Sequence, residues 1–156
     1  MNPSSLLNKQ SPNFNLESNK GKISLKNFLG KKIILYFYPK DNTPGCIIEA
    51  NDFTKLSSEF KKLNTEIIGV SKDDIKSHER FISGNNLKLV LASDSDHKMQ
   101  KDYGVWQKKK FIGREFMGTV RTTFLIDEKG KIIYVWENVK ALGHARKVLG
   151  FVKELD

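Results

Sequence analysis

Short continuous apolar runs alternate along this chain with stretches whose apolar residues recur every three or four positions. Ile33 to Tyr38 is β-branched and aromatic, and reads as a strand buried on both faces. Pro39 ends it, because proline has no N–H to give to a sheet ladder. After the turn formers Asp41 to Gly45, apolar or small residues at Cys46, Ala50, Phe53, Leu56, Phe60 and Leu63 fall on one helix face. Glu66 to Val70 repeats the strand pattern. Asp73 or Asp74 then supplies an N-cap for a helix carrying Ile75, Phe81 and Ile82. Leu87 to Leu91 predicts a further strand, and Ser93 to Asp96 opens a helix towards Tyr103.

The two ends read differently. Phe14 to Leu16 and Ile23 to Leu25, separated by Glu17 to Gly21, predict an N-terminal β-hairpin, with a brief helical turn through Phe28. After Arg121, Thr122 to Ile126 and Lys131 to Trp136 flank Asp127 to Gly130 and predict an antiparallel hairpin. Ala141 to Leu155 closes the chain as an amphipathic helix. Gln107 to Met117 fits either a loop or an extra strand. A βαβ half followed by a hairpin and a helix is the order of an α/β, thioredoxin-like fold, with a central mixed β-sheet flanked by helices and the N-terminal β-hairpin added. At 156 residues and 38% hydrophobic composition, residues 1–156 are expected to form a single domain.

The net charge of +9 raises nucleic acid or an anionic membrane surface as a partner. The cations are dispersed among acids, however, and the compact run Lys108 to Lys110 reads as a solvated loop. No nucleic acid and no membrane are therefore expected, with a basic nucleic-acid-binding module kept as the weaker alternative. No apolar stretch approaches the roughly 18 residues of a membrane span. Met1 to Ser5 lacks the basic start and apolar core of a secretory signal. One cysteine excludes an internal disulfide framework, so a cytoplasmic location is expected.

That cysteine carries the candidate chemistry. Cys46 falls in the first turn of its helix, where unpaired N–H groups and the helix dipole favour a thiolate, the nucleophilic form, over a thiol. A buried free cysteine is commonly inert; here a strand, a Pro-Gly turn and a helix start all converge on it.

Pro39-x-x-x-Thr43-x-x-Cys46 resembles the active-site motif of the peroxiredoxins. Phe37 to Asp41, Thr43 to Cys46 and Glu49-Ala50 are similar to the bacterioferritin comigratory protein, or peroxiredoxin Q, branch. Val70 to Asp73, Ser93-Asp94, Tyr103 to Trp106, Arg121-x-Thr123 to Asp127 and Gly143 to Ala145 stand in that branch's order, so the resemblance spans nearly the whole chain. It implies the thioredoxin-like fold independently of the patterning above. It also implies a thiol peroxidase for antioxidant defence and cell redox homeostasis, reducing hydrogen peroxide and organic hydroperoxides through a cysteine sulfenic acid at its redox-active centre. Cys46 would be the nucleophile, Arg121 the cation that favours its charge, and Thr43 a hydroxyl able to donate and accept. Pro39 would shape the pocket and exclude water. Glu49 reads as a supporting carboxylate satisfying N–H groups in the first helical turn. No metal, haem or flavin is required.

The sequence departs from the branch at Asn51, where a resolving cysteine often stands. The sulfenic acid then needs an external thiol: thioredoxin, glutaredoxin or glutathione. Ile47-Ile48 replaces small hydroxyl residues common in the family and would favour organic hydroperoxides. His78, His97 and His144 lack metal-ligand spacing and are expected in surface or capping roles. A Cys-His hydrolase stays open at this point, as does a peroxide sensor that relays oxidation to a partner protein. The branch implies a monomer.

Overall fold

The computed structural model describes residues 2–155. In chain order it contains β1 (Asn15–Ser18), β2 (Gly21–Ser24), β3 (Lys32–Phe37), α1 (Pro44–Lys62), β4 (Thr65–Ser71), α2 (Ile75–Asn85), β5 (Val90–Ser93), α3 (Lys98–Asp102), β6 (Trp106–Phe111), β7 (Arg114–Thr119), β8 (Thr122–Ile126), β9 (Ile132–Trp136) and α4 (His144–Glu154). Seven strands form one sheet in the order β2-β1-β5-β4-β3-β8-β9. β3, β4 and β5 run parallel, whereas β8 pairs antiparallel with β3 and β9 with β8. This is the mixed sheet of a thioredoxin-like fold, and the expected N-terminal hairpin extends it through β1 and β5.

Strand alternation divides the apolar residues into two layers. Ile34, Tyr36 and Tyr38 face a cluster with Phe53 and Phe60 of α1, Phe81 of α2 and Val148 and Val152 of α4. Ile33, Leu35 and Phe37 face the other, which holds Phe14, Met99, Tyr103, Phe124 and Ile132. Every residue of β3 is buried, as a central strand covered on both faces must be.

Two expectations change. The strand placed at Leu87 to Leu91 begins only at Val90, because Asn86 ends α2 in the left-handed conformation and the Leu87 N–H closes back on Ile82 O. Leu87 and Leu89 are buried but still belong to that exit. Lys108 to Lys110, read as a solvated loop, lie in β6, which pairs with β7 as a separate two-stranded hairpin. Cross-strand pairing of Lys108 and Lys110 with Glu115 makes this charged segment compatible with a strand.

Candidate active site

The loop between β3 and α1 is held from beneath. The Tyr38 N–H still donates to Val70 O, after which Pro39 ends the pairing. The Asp41 N–H donates to Asp73 Oδ2 at 2.8 Å. The buried Asp41 carboxylate accepts from Tyr38 O–H at 2.6 Å and Ser77 O–H at 2.8 Å, and meets His78 Nδ1 at 2.7 Å. His78 Nε2 donates to Ala92 O at 3.0 Å, since a carbonyl can only accept. The expected surface role of His78 is thus wrong: it is fully buried and ties the loop to α2 and β5. Asn42 turns the chain at φ 61°, a left-handed conformation that asparagine tolerates.

Thr43 occupies the N-cap position of α1 and Pro44 its first turn, where a missing N–H costs nothing. The Thr43 hydroxyl donates to Lys40 O at 2.8 Å, and no side chain caps the helix. Gly45 and Cys46 N–H therefore have no acceptor within the helix ladder. Cys46 is the third helical residue and is 2% exposed.

Arg121, just before β8, faces it. Its Nη2 donates to Cys46 Sγ at 3.4 Å and its Nη1 to Glu49 Oε1 at 2.6 Å, with the side chain 15% exposed. Gly45 permits this approach: a Cβ there would stand 3.0 Å from Nη2. Glu49 departs from expectation. It lies in the second turn of α1, is completely buried, and binds Arg121 rather than the first-turn amides. Burial pushes its carboxyl up to about 7, and the Arg121 charge opposes that rise only in part.

His144 is also buried, with Nε2 2.8 Å from Thr123 Oγ1 and its ring edge-on to Phe53 and Trp136. Burial first, then the nearby Arg121 charge, lowers its pKa to about 4, so it is neutral at pH 7. His97 is half-buried and stacks on Trp106. The Cys46 sulfur thus meets a guanidinium, which speaks against the Cys-His arrangement. The structure brings together Cys46, Arg121 and Glu49, and leaves Pro39 and Thr43 on the loop above. Sequence reasoning missed the Asp41–His78 anchor; an acid in the loop and a histidine one turn into α2 gave no periodic signal.

A free cysteine at a helix start, on a thioredoxin-like sheet and opposite a largely buried arginine, is the arrangement of a thiol-dependent redox enzyme. The chain belongs to the AhpC/TSA family, whose model matches residues 7–135. It is similar to peroxiredoxin Bcp of Bacillus subtilis, 40% identical over 150 residues and 96% of each chain, and to peroxiredoxin Bcp of Escherichia coli K12, 37% identical over 144 residues and 92% of each. The solved structure of the Xanthomonas campestris bacterioferritin comigratory protein, described for its alkyl peroxide reduction activity, superposes with a TM-score of 0.86 at 36% identity, covering 90% of each chain. The protein is accordingly a one-cysteine peroxiredoxin of the Bcp, or peroxiredoxin Q, branch: a thiol peroxidase that takes a peroxide substrate and a thiol reductant.

Proposed function

We propose that Cys46 attacks one peroxide oxygen as the thiolate. The O–O bond breaks, the sulfur is oxidised to sulfenic acid, and the other oxygen leaves with a proton as water or an alcohol. Arg121 and the free N–H groups at the start of α1 hold the charge on sulfur and on the departing oxygen. Thr43 already gives its hydrogen to Lys40 O, so its part is to accept the peroxide O–H through a lone pair. Pro39 shapes the entrance. Glu49 orients Arg121 and touches no substrate. The observation that carries this reading is the 3.4 Å approach of Arg121 Nη2 to the only sulfur nucleophile.

With Asn51 in α1 where the branch often has a resolving cysteine, a first external thiol condenses with the sulfenic acid, releasing water and leaving a mixed disulfide. A second thiol releases Cys46 as the thiol. Thioredoxin, glutaredoxin and glutathione all have the chemistry. The solved yeast mitochondrial 1-Cys peroxiredoxin, 25% identical with a TM-score of 0.81 over 96% of this chain and 75% of that one, is described as resolved through glutathione and thioredoxin systems. The protein acts as a cytoplasmic monomer in this reading, with no nucleic acid involved.

Ile47 packs against the core beside the site and Ile48 is exposed, an apolar entrance suited to organic hydroperoxides. Stopped-flow oxidation of reduced protein by hydrogen peroxide and cumene hydroperoxide, with Cys46→Ser alongside, tests the reading. Rates far above a free thiol, lost in Cys46→Ser, support it; rates no faster than a free thiol overturn it. Equal efficiency with both peroxides would remove the preference for organic substrates.

A further inference from the structure

The β6–β7 hairpin carries two features that cost stability, an unfavourable turn residue and exposed apolar side chains. Its two-residue turn is Ile112-Gly113, with φ 49° at Ile112 and 73° at Gly113. A two-residue hairpin turn with both φ positive prefers Asn-Gly, and a β-branched residue in the left-handed region is disfavoured. Ile112 is nevertheless there, 85% exposed, and touches no core. Phe111 beside it is 67% exposed, and Phe116 and Met117 are about half exposed. Isolated exposed apolar residues are ordinary; four within seven positions of one hairpin, two of them at its tip, are not.

Charge surrounds this tip. Register places Arg114 beside Phe111 on one face, with Lys108 and Lys110 on the other; Lys109, beside Phe116, instead turns its ammonium to Thr119 O at the base of the hairpin, 2.9 Å away. Glu115 is the only acid from Trp106 to Thr119, and it is shared between Lys108 and Lys110. The six-residue strands place the tip roughly 20 Å along the hairpin from its base at Trp106 and Thr119. An aromatic and aliphatic apex behind a cationic collar suits a deformable, negatively charged medium.

We infer that the β6–β7 hairpin docks this protein reversibly onto anionic lipid bilayers, with Phe111 and Ile112 entering the interface and Lys108, Lys110 and Arg114 meeting lipid phosphates. The attachment is peripheral, since among the described residues no helix is long and apolar enough to cross a membrane. The expectation of no membrane partner rested on dispersed charge along the sequence, and the hairpin gathers that charge at one end. Docking would hold a peroxidase beside the lipids whose oxidation supplies organic hydroperoxides, and it stands whichever reductant the enzyme uses.

The decisive variant is Ile112→Asn, which installs the preferred turn pair while removing the apolar apex. It should fold at least as stably and oxidise at the same rate with hydrogen peroxide. Flotation with vesicles of equal phosphatidylglycerol and phosphatidylcholine should recover the natural protein, with about tenfold less recovery for Ile112→Asn, Phe111→Ser or Arg114→Gln. Recovery should fall with added salt and be absent on pure phosphatidylcholine. Several results would each overturn the inference. One is no recovery of the natural protein on anionic vesicles. Another is binding that ignores the tip variants or is equal on neutral lipid. The last is a tip whose variants change only self-association or the reaction with a protein reductant.

Discussion

Replacing Arg121 by Met tests the centre of the mechanism, because it removes the cation while keeping an apolar stem of similar reach. At 3.4 Å, the guanidinium and a sulfur anion attract by about 5 kcal/mol at an effective dielectric near 20. That is a ceiling, since the Gly45 and Cys46 N–H groups remain and Glu49, stripped of its partner, can take up a proton and neutralise itself. A loss of about 3–4 kcal/mol in the transition state, roughly 10² to 10³ in kcat/KM, is the expected outcome. The assay is stopped-flow oxidation of Cys46 by hydrogen peroxide at pH 7, with the urea midpoint of each variant measured beside it. Arg121→Lys should fall between, about tenfold down, because one ammonium cannot face both Glu49 and Cys46 as the two-pronged guanidinium does. The double variant Arg121→Met/Glu49→Gln should react like Arg121→Met alone. Recovery in the double variant would mean that the stranded carboxylate, not the missing cation, caused the loss. A folded Arg121→Met protein within about threefold of the natural rate would refute the electrostatic account.

Gly45→Ala forces the guanidinium back by a few tenths of an ångström and should slow peroxide reaction about three- to tenfold. That loss should vanish in the Arg121→Met background, and additive losses would show that Gly45 acts elsewhere. Glu49 titrates near 7 in the fold against an ordinary value of 4.5, so the native state holds a proton that the unfolded chain has released. Its contribution is full below about pH 4.5 and is lost as pH rises through about 7, a fall of about 3 kcal/mol that Glu49→Gln should abolish in urea titrations across that range. Asp41→Ala strips His78, Tyr38 and Ser77 of their shared acceptor and should cost about 3 kcal/mol in unfolding free energy. An unchanged midpoint would dismiss the loop anchor. Excess peroxide without a thiol should leave two added oxygens on Cys46 by mass spectrometry, and a persistent sulfenic acid under that dose would contradict the lack of internal resolution.

What the sequence made legible is what each element reports about itself. The run from Ile33 to Tyr38, its stop at Pro39, the inward placement of Cys46 and the β8–β9 hairpin followed by α4 all follow from local periodicity and turn chemistry, and all stand in the structure. Pairings between distant positions left no such trace. Glu49 and Arg121 are 72 residues apart, and Asp41 and His78 are 37 apart. Glu49, Asp41 and His78 read locally as a supporting carboxylate, a turn former and a surface or capping group; Arg121 was legible as the partner of Cys46, but not as the partner of Glu49. Only the β3–β8 register and the packing of α2 beneath the loop bring them together. The β6–β7 hairpin was undecided for a different reason: three consecutive lysines argue for solvent, and their cross-strand partner Glu115 lies beyond the turn.

The buried Glu49 looks at first like a defect in a site that needs positive charge. An unopposed Arg121 would present the greatest field to the sulfur, but its long side chain would also be free to swing towards solvent, where hydration favours it. Engaging Nη1 on a fixed carboxylate sets the plane of the whole guanidinium, and a rigid plane carries Nη2 to Cys46 without further restraint. The burial that raises the affinity of Glu49 for a proton also limits how much of Arg121's charge it cancels near neutral pH. Gly45 completes the arrangement from the helix side by leaving room for the guanidinium. In the proposed mechanism Gly45, Glu49 and Arg121 thus turn a flexible cation into a positioned one at a small loss of field, which is the exchange that preorganised electrostatic catalysis requires.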